Sequence, residues 1–479
     1  EIVALTLTGA APITNVWGNG TPLVDQGGGV WRGMIPSATK AGDQTVYLLA
    51  RDANGNLATH IAPYIATLTG LQYFPLPRPV RFLDTRPGEI GCDAPGSPIQ
   101  GGTSHVQTAA GRTCEGITIP SNALALTGHV TTVQSNGGYL TLHSTEVTRP
   151  VVANTNYQPN QIVNNVFTVG LGATNGAFSI FAARTTHVVV DATGYYAKAG
   201  AGTSPNFNAP QGAGGLYFHP LSTPVRLLDT RPGFPGCYEN GDMPLASNST
   251  LMQQATGLCA GQTIPANAMA VVGNATVVGP ASNGYLTIYP SDAMQPLAAS
   301  SNYPAGQTVN GQFITGLGPD GAFKVFTVAM TNLVVDILGY YSPDAVDING
   351  AGLLFSPLPT PVRLLDTRAG FSGCFTPGTP LMSSVEYTQQ ATGLCQGVTI
   401  PAAARGVVGN ATVVFPQTQG FLTFWPSNVT RPLISTSNYA AGQVWNRHFM
   451  VGLGPAGAFK MFSLSTTDLV IDLSGYFAP

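Results

Sequence analysis

One short polar motif recurs in this chain and is its best candidate for chemistry. It is the triplet Asp-Thr-Arg, present as Asp84-Thr85-Arg86, Asp229-Thr230-Arg231 and Asp366-Thr367-Arg368. Carboxylates beside guanidinium groups could bind a sugar or an ion. Alternatively, the aspartate accepts backbone N–H bonds in a tight turn, while the arginine makes two hydrogen bonds to a carboxylate. The structural interpretation is favoured, because a residue that recurs at the same place in three modules is more typical of a scaffold than of a catalytic site.

A second aspartate lies near the end of each repeat and is a plausible partner for these arginines. The three are Asp191, Asp336 and Asp472. Charged residues make up only 9% of the chain, against about 25% in ordinary soluble domains. Because buried charges must be paired, such a chain is expected to keep mainly charges with a structural role. We therefore predict turn and ion-pair roles for the triplets and these aspartates.

A second repeated set combines asparagine, tyrosine and glutamine. Its members are Asn156, Tyr157, Gln161 and Asn164, then Asn302, Tyr303, Gln307 and Asn310, then Asn438, Tyr439, Gln443 and Asn446. Amides and aromatic rings together can bind sugars by hydrogen bonding and stacking. They can equally satisfy backbone groups of loops inside a sandwich, and this second interpretation is favoured.

The sequence carries no motif of a known enzyme class. The histidines, among them His60, His105, His143, His187, His219 and His448, occupy no shared position in the repeats. Neither a Gly-x-Ser-x-Gly elbow nor a His-Glu-x-x-His pair nor a phosphate-binding loop is present,. The aspartates do not form a calcium-binding loop,. We expect no enzymatic activity, no cofactor and no metal.

Composition argues against two further classes. The net charge of −3 comes without a basic stripe, so nucleic-acid binding is not expected,. The sequence contains no apolar run of about 20 residues, so no membrane span is expected,. A neutral polar surface suits extracellular walls, sheaths and fibres, because little net repulsion opposes dense self-association.

The motifs belong to three tandem modules that follow a different N-terminal segment. The phrase Arg-Leu-Leu-Asp-Thr-Arg begins at Arg81 (with Phe82 for the first Leu), Arg226 and Arg363, and each module ends in Gly-Tyr-aromatic. These marks predict domains at 1–70, 73–197, 217–342 and 354–479. The connection before the second module is longer than the one before the third, so modules one and two are expected to dock less rigidly.

Each module contains one pair of cysteines. The pairs are Cys92 and Cys114, Cys237 and Cys259, and Cys374 and Cys395, with separations of 22, 22 and 21 residues. An even count at nearly constant spacing predicts one disulfide per module. Metal ligation is disfavoured because no Cys-x-x-Cys or histidine cluster flanks the pairs,. Disulfides indicate a location outside the cytosol.

Short β-strand patterns fill the modules. In the second module Asn283-Gly284 is a hairpin turn signal between apolar runs,. No segment keeps a helical apolar period beyond a turn or two,. Seven or eight short strands per module predict an all-β chain of β-sandwiches, of either the jelly-roll or the immunoglobulin-like type.

The N-terminal segment is predicted to be a partial immunoglobulin-like domain. Its Asp52-Ala-Asn-Gly-Asn56 resembles the closing hairpin of bacterial immunoglobulin-like modules. The alternating strand at the terminus, with Ile2, Val3, Leu5 and Leu7, is expected to be detached and to pair with an open edge of a neighbouring subunit,. Two Asn-x-Ser/Thr sequons in predicted loops, at Asn19 and Asn248, are the best candidates for glycosylation,.

The repeated motifs carry a family resemblance over residues 73–479. Pro-Val-Arg-Leu-Leu-Asp-Thr-Arg, Val-Val-Gly-Asn-Ala-Thr-Val-Val and Val-Val-Asp-Ile-Leu-Gly-Tyr-Tyr resemble a module of exported multidomain proteins of actinobacteria and Chloroflexi-like bacteria. The resemblance implies tandem use and a secreted or cell-surface location, and it brings no catalytic role and no functional residues. The first module departs from the pattern at His129, where the others have Asn274 and Asn410.

Two functions remain open at this point. We predict a secreted structural subunit of a bacterial filament, sheath or surface layer, which assembles with other copies through β-edge and module–module contacts, with cell-wall glycans as further candidate partners. The alternative is an adhesin or carbohydrate-binding stalk, which would need exposed aromatic residues at a shared place. No common aromatic platform is visible: Trp425 replaces Tyr289, and Trp17, Trp31 and Trp445 are not repeated.

Overall fold

The computed structural model describes residues 2–6, 11–33, 42–66, 70–198, 215–238 and 243–479. Every regular element in these ranges is a β-strand, which confirms the all-β prediction. The chain divides into two compact units, Glu1–Thr69 and Gly70–Pro479. All three predicted modules lie in the second unit.

The N-terminal unit contains two small antiparallel sheets. Its strands are β1 (Ile2–Leu5), β2 (Ile13–Gly18), β3 (Thr21–Pro22), β4 (Val24–Asp25), β5 (Val30–Gly33), β6 (Gly42–Asp52) and β7 (Leu57–Ala66). One sheet has the order β1-β5-β4 and the other β3-β2-β6-β7. The unit's small core is made by Ala4, Val16, Leu23 and Trp31.

The expectation of a detached N-terminal strand is wrong for the residues that can be described. Residues Ile2–Leu5 pair antiparallel with Val30–Gly33 of the same chain. Their hydrogen-bonding groups are therefore partly used inside the unit, and only the outer edge of β1 is left for a further strand,. Leu7, the last residue of the predicted assembly strand, lies outside the described residues.

Each module of the second unit is a jelly roll, which decides between the two predicted sandwich types. The strands of the first module are β8 (Leu71–Asp84), β9 (Thr103–Thr108), β10 (Thr113–Cys114), β11 (Ile117–Thr118), β12 (Ala125–Val133), β13 (Asn136–Ser144), β14 (Thr155–Pro159), β15 (Val163–Gly170), β16 (Ala177–Ala182) and β17 (His187–Lys198). They form two sheets, β15-β12-β17-β8 and β14-β13-β16-β9, beside the small β10-β11 hairpin. Without the small β10-β11 hairpin, the module has eight main strands, which can be numbered one to eight along the chain. In these numbers the strand orders of the two sheets are 6-3-8-1 and 5-4-7-2, as in a double-sheet jelly roll,.

The other two modules repeat this order. The second has β18 (Tyr217–Asp229), β19 (Ser249–Gln254), β20 (Gly257–Cys259), β21 (Gln262–Ile264), β22 (Ala270–Val278), β23 (Gly284–Pro290), β24 (Ser301–Tyr303), β25 (Val309–Gly316), β26 (Ala322–Thr327) and β27 (Asn332–Ser342). A short hairpin, β28 (Val346–Asp347) and β29 (Gly350–Ala351), follows. The third has β30 (Leu354–Asp366), β31 (Glu386–Gln390), β32 (Gly393–Cys395), β33 (Val398–Ile400), β34 (Gly406–Val414), β35 (Gly420–Pro426), β36 (Ser437–Tyr439), β37 (Val444–Gly452), β38 (Ala458–Ser463) and β39 (Asp468–Ala478).

The predicted disulfides are confirmed, one in each module. They join Cys92 to Cys114, Cys237 to Cys259, and Cys374 to Cys395. Each ties the loop after the first strand to a small hairpin, where there are few ladder hydrogen bonds to hold the chain.

Removing one of these bridges is expected to destabilise the protein markedly. The double variant Cys237→Ser/Cys259→Ser should lose roughly 3 kcal/mol of unfolding free energy, because closure of a 22-residue loop restricts the unfolded chain,. Urea denaturation of the variant and the parent measures this loss. A reductant should destabilise the parent by more than the variant, and equal sensitivity of the two proteins would contradict the assignment.

The three modules are arranged around one common axis. The starts of their first strands pair in a cycle: Tyr73 with Leu216, Phe218 with Leu353, and Phe355 with Leu71. Because the third module pairs back onto the first, the modules form a closed ring of three and not a row of separate domains. We call the end of the axis where β8, β18 and β30 begin the proximal end, and the opposite end the distal end.

Six aromatic side chains close this ring at the proximal end. They form three cross-strand pairs, Tyr73 with Tyr196, Phe218 with Tyr341, and Phe355 with Phe477. Each ring also contacts the neighbouring pair, and centroid distances around the circle run from 4.4 to 5.3 Å. All six are at most 3% exposed. Together with Leu71, Leu216 and Leu353 they belong to a fourth core shared by all modules.

The first two modules are joined by buried contacts, and the expectation that they dock less rigidly than the second and third stays a prediction. Tyr196 and Tyr341 join these modules through a buried hydrogen bond of 2.7 Å between their hydroxyl groups. The connection before the third module is not an open linker, because it folds into the β28-β29 hairpin and Asp347 accepts a hydrogen bond from Tyr340. Loop composition alone could not reveal these contacts, since each involves a tyrosine of a module that lies outside the loop itself.

Candidate functional site

The Asp-Thr-Arg triplets lie at the distal ends of the first strands and hold the turn that follows. Asp84 accepts hydrogen bonds from the backbone N–H of Arg86 at 3.1 Å and from its guanidinium at 2.9 and 2.6 Å. Thr85 Oγ1 accepts the N–H of Val188 on β17 at 2.8 Å. The same contacts recur at Asp229, Thr230 and Arg231 and at Asp366, Thr367 and Arg368. The triplet carboxylates are buried.

The second aspartates pair with a different arginine from the one the sequence suggested. Arg81, not Arg86, makes two hydrogen bonds to Asp191, with Nε–Oδ1 at 2.8 Å and Nη2–Oδ2 at 3.3 Å. Arg226 and Arg363 pair in the same way with Asp336 and Asp472. The reason is register: Arg81 lies directly opposite Asp191 in the β8-β17 ladder, whereas Arg86 lies beyond the strand end.

The first arginine of the repeated phrase is therefore the residue that the sequence interpretation missed. Its signal was present, since Arg81, Arg226 and Arg363 recur as faithfully as the triplets do. Each also contacts the triplet aspartate, as Arg81 Nη1 does with Asp84 Oδ2 at 3.2 Å. Each module thus contains a chain of two arginines and two aspartates. A bulge beside Asp191 brings its strand so close to Gly128 that a Cβ there would overlap the Asp191 carbonyl.

These networks also join neighbouring modules. Asp191 Oδ2 accepts the backbone N–H of Ala299 in the second module at 3.4 Å. Asp336 is bonded in the same way to Ser435 of the third module, and Asp472 to Ala153 of the first. Burial raises the pKa of Asp336 to about 6, although Arg226 acts in the opposite direction. The carboxylates are thus buried parts of the seams between modules.

The last asparagine of the second repeated set makes the same cyclic contacts. Asn164 Nδ2 donates to the Ala299 carbonyl at 2.9 Å, and Asn310 Nδ2 donates to the Thr436 carbonyl at 2.9 Å. Asn446 Nδ2 donates to the carbonyl of Ala153 in the first module at 3.2 Å. These residues lie near the start of the sixth strands β15, β25 and β37, which meet along the axis.

The tyrosines and glutamines of this set have separate positions. The hydroxyl groups of Tyr157, Tyr303 and Tyr439 bond within their own modules, to the Arg184 carbonyl, Thr327 and Ser463 respectively. Gln161 and Gln443 accept backbone N–H groups of the turns before the sixth strands, at 3.0 and 2.9 Å. The glutamines are partly or fully exposed at the distal end.

A buried polar layer crosses the axis midway between its ends. His129 of the first module and His448 of the third lie here, both at most 3% exposed, and His448 Nδ1 is 2.6 Å from Gln312 Oε1. Burial lowers the pKa of His129 to about 4 and that of His448 to about 3. Arg447 is also buried there, and burial lowers its pKa to about 9.

The two histidines of this layer, His129 and His448, predict a loss of stability in mild acid. Both stay neutral in the fold, whereas in the unfolded chain they bind protons below about pH 6.5. The stabilisation that the neutral histidines provide is thus complete above pH 6.5. It decreases as the pH is lowered, and the loss is about 2–3 kcal/mol per histidine at pH 4.5. The variant His129→Asn/His448→Gln carries the residues of the equivalent positions, Asn274 and Gln312. Urea unfolding at pH 7.5 and 4.5 should show a smaller loss for the variant, and identical losses would contradict the assignment.

The other sequence predictions fall on surfaces and turns. Asn19 and Asn248 are exposed turn residues, and their glycosylation stays a prediction, whereas the sequon residues Asn274 and Asn410 are buried on strands. Within the described ranges, no group of three or more His, Cys, Asp or Glu side chains is placed to hold a metal ion. The same part of the chain contains no helix long and apolar enough to cross a membrane.

Comparisons with known proteins show no family for this chain. No protein-family model and no curated protein matches it. Among solved structures, a chain of Sulfolobus Turreted Icosahedral Virus is 9% identical, covers 85% of this chain and 90% of its own, and has a TM-score of 0.16. The structure described as the triple jelly roll fold and turret assembly in an archaeal virus gives 10% identity, 85% and 95% coverage and a TM-score of 0.17.

A third similar structure is the M60 catalytic domain with two CBM51 domains from Clostridium perfringens. It is 7% identical, covers 97% of this chain and 51% of its own, and has a TM-score of 0.15. TM-scores this low do not indicate a shared fold, so these likenesses carry no argument about this chain. The jelly-roll assignment follows from the strand order of the modules themselves.

Proposed function

We propose that this protein is a secreted, non-enzymatic structural subunit of a bacterial extracellular filament, sheath or surface layer. The observation that carries the proposal is that the repeated polar residues make hydrogen bonds inside the protein itself. The arginines, aspartates and module-joining asparagines are bonded within or between modules, and so are the triplet threonines. Such residues build a rigid body, and that is what a load-carrying subunit requires.

The closed ring changes how copies of the protein would associate. The module–module surfaces are already used inside one chain. Contacts between copies would therefore use other surfaces, among them the edge strands β9, β19 and β31 of the outer sheets and the outer edge of β1. An open edge is a template for another strand, and exposed apolar residues lie on two of these edges, Val106 at 56% and Met252 at 62% exposure.

The proposal is tested by following assembly against protein concentration. Electron microscopy and sedimentation should show regular filaments, tubes or lattices that grow with concentration. The variant Val106→Lys/Met252→Lys should shift assembly to higher concentration, because lysine on an edge strand opposes pairing. Ile90→Lys, at a loop residue that is 76% exposed, is the matched control and should assemble as the parent does. Dispersed particles at every concentration would overturn the structural role.

The second candidate is a cell-surface adhesin or carbohydrate-binding stalk. One observation favours it: amide and aromatic side chains surround a depression at the distal end of the axis. The three modules contribute different residue types to this depression. It is therefore not the aromatic platform, repeated in each module, that a stalk with three equivalent sites would need.

A further inference from the structure

A depression of about 490 Å³ lies where the three modules meet at the distal end. The first module contributes Gln161, the second Asn302 and Gln307, and the third Gln443 and Trp445. The volume falls within the range of about 300–1,000 Å³ that is usual for small-molecule sites. The closed ring alone creates this depression, since no single module supplies its wall.

The side chains that line the depression are uncharged. Their amides are held in one orientation, because Gln161 Oε1 accepts the N–H of Gln158 and Gln443 Oε1 accepts the N–H of Ala440. The amide NH₂ groups are then left as donors. A further donor, Nδ2 of Asn302, is buried and has no partner among the described residues. An unpaired buried donor is costly, so a ligand that accepts its hydrogen bond would be stabilised.

Trp445 supplies the aromatic part of the depression. It stands where the other modules have Val163 and Val309, and it packs against the cores of the first and second modules across the axis. The Arg447 guanidinium lies 4.3 Å from the centre of its ring. The indole is therefore held rigid between three modules, and rigid aromatic surfaces bind ligands at little entropic cost.

The depression continues along the seam between the second and third modules. A neighbouring hollow of about 360 Å³ shares Thr308, Phe421 and Asn438 with it. The two together form one groove along this seam. The charged residues Arg226, Arg231, Asp336 and Arg431 line the outer part of this groove, whereas no charged side chain lines the part at the axis.

We propose that this axial depression binds a neutral oligosaccharide. Amide N–H groups of Asn302, Gln161 and Gln443 donate to hydroxyl oxygens, and Trp445 packs against one sugar ring. The inference goes beyond the structural role and does not depend on it, because binding at this site requires only the closed ring within one chain.

Calorimetric titration of the full-length chain, at a concentration where it is dispersed, tests the proposal. The probes are cellohexaose, maltohexaose, xylohexaose and N-acetylchitohexaose, with an oligogalacturonate as the acidic contrast. At least one neutral probe should bind at one site per chain. Asn302→Ala should weaken that binding about tenfold without lowering stability, since it removes one ligand hydrogen bond and an unpaired buried donor.

Two further variants complete the test. Asn156→Ala changes the equivalent residue of the first module, which does not line the depression, and should bind like the parent. Trp445→Val installs the residue of the other modules and should abolish binding. The proposal is overturned if no neutral probe binds, if the acidic probe binds more tightly, or if Asn302→Ala and Asn156→Ala bind equally.

Discussion

Replacement of Arg81 by leucine is expected to cost about 3–5 kcal/mol of unfolding free energy, because it leaves buried carboxylates without their partner. Arg81 bonds to both Asp84 and Asp191, and these aspartates are 0% and 1% exposed. The loss should shrink as pH falls. Without the arginine the pKa of Asp191 rises further, and protonation of Asp191 then removes the unpaired charge. Urea denaturation at pH 7.5 and pH 5 measures both effects.

A matched control is available on the same strand. Arg78 forms an ion pair with Glu115 in which the two side chains are 26% and 36% exposed. Arg78→Leu should therefore cost less than about 1 kcal/mol, as is usual for surface pairs. The double variant Arg81→Leu/Asp191→Leu should recover much of the loss, because it removes the unpaired charge as well. If Arg81→Leu were no worse than Arg78→Leu, the buried network would not be a main support of the fold.

Truncation of one side chain in the six-membered aromatic ring should have a comparable effect. Phe218→Ala is expected to lose about 3–5 kcal/mol, since the cavity lies in a core with no room to collapse. Phe218 is 3% exposed and its ring contacts those of Tyr341 and Phe477. The loss should be accompanied by faster hydrogen exchange at the first strands of all three modules, because the ring joins them.

Phe234→Ala is the control for this prediction. Phe234 lies in the same module but is 50% exposed and contacts chiefly the Arg231 guanidinium. Its loss should stay below about 1 kcal/mol, as expected for an exposed cation–π contact. If hydrogen exchange in the Phe218→Ala variant became faster in the second module only, the aromatic ring would not couple the modules.

The architecture of one module could be predicted from the sequence because its signals are local. Cysteine separations of 22, 22 and 21 residues predicted the disulfides correctly. The predicted hairpin turn at Asn283-Gly284 is wrong, because β22 and β23 on either side of it lie in different sheets and neither residue has a positive φ. The choice between jelly roll and immunoglobulin-like sandwich could not be made in this way. It depends on which strands are neighbours, and strand order is set by contacts distant in sequence.

The closed ring was not predicted, although one segment carried a signal for it. Ala270–Val278 shows no alternation of apolar and polar residues, and its burial pattern is nearly continuous. A strand of this kind is buried on both faces, so a partner beyond its own sandwich was required. Likewise, each module ends in Gly-Tyr-aromatic, and the two aromatic residues of this motif lie in different cores. In the first module Tyr195 belongs to the module's own core, whereas Tyr196 belongs to the shared core.

The axial site could not be predicted from the repeated motifs. Trp445 and His129 were recognised as departures from the repeated pattern, and both lie at the axis. Only the three-dimensional arrangement shows why: around a pseudo-threefold axis three equivalent positions converge, and three identical large side chains would not fit there. Departures from the repeat are therefore expected at these positions of the sixth strands, whereas the aromatic positions at the proximal end are repeated in all three modules.

Differential scanning calorimetry of the full chain tests the central claim most directly. If the three modules are one closed structural body, the unit Gly70–Pro479 unfolds in a single transition whose calorimetric and van't Hoff enthalpies agree,. Three resolved transitions, or a calorimetric enthalpy about three times the van't Hoff value, would instead mean that the modules fold independently. That result would contradict the closed ring and the structural role that rests on it.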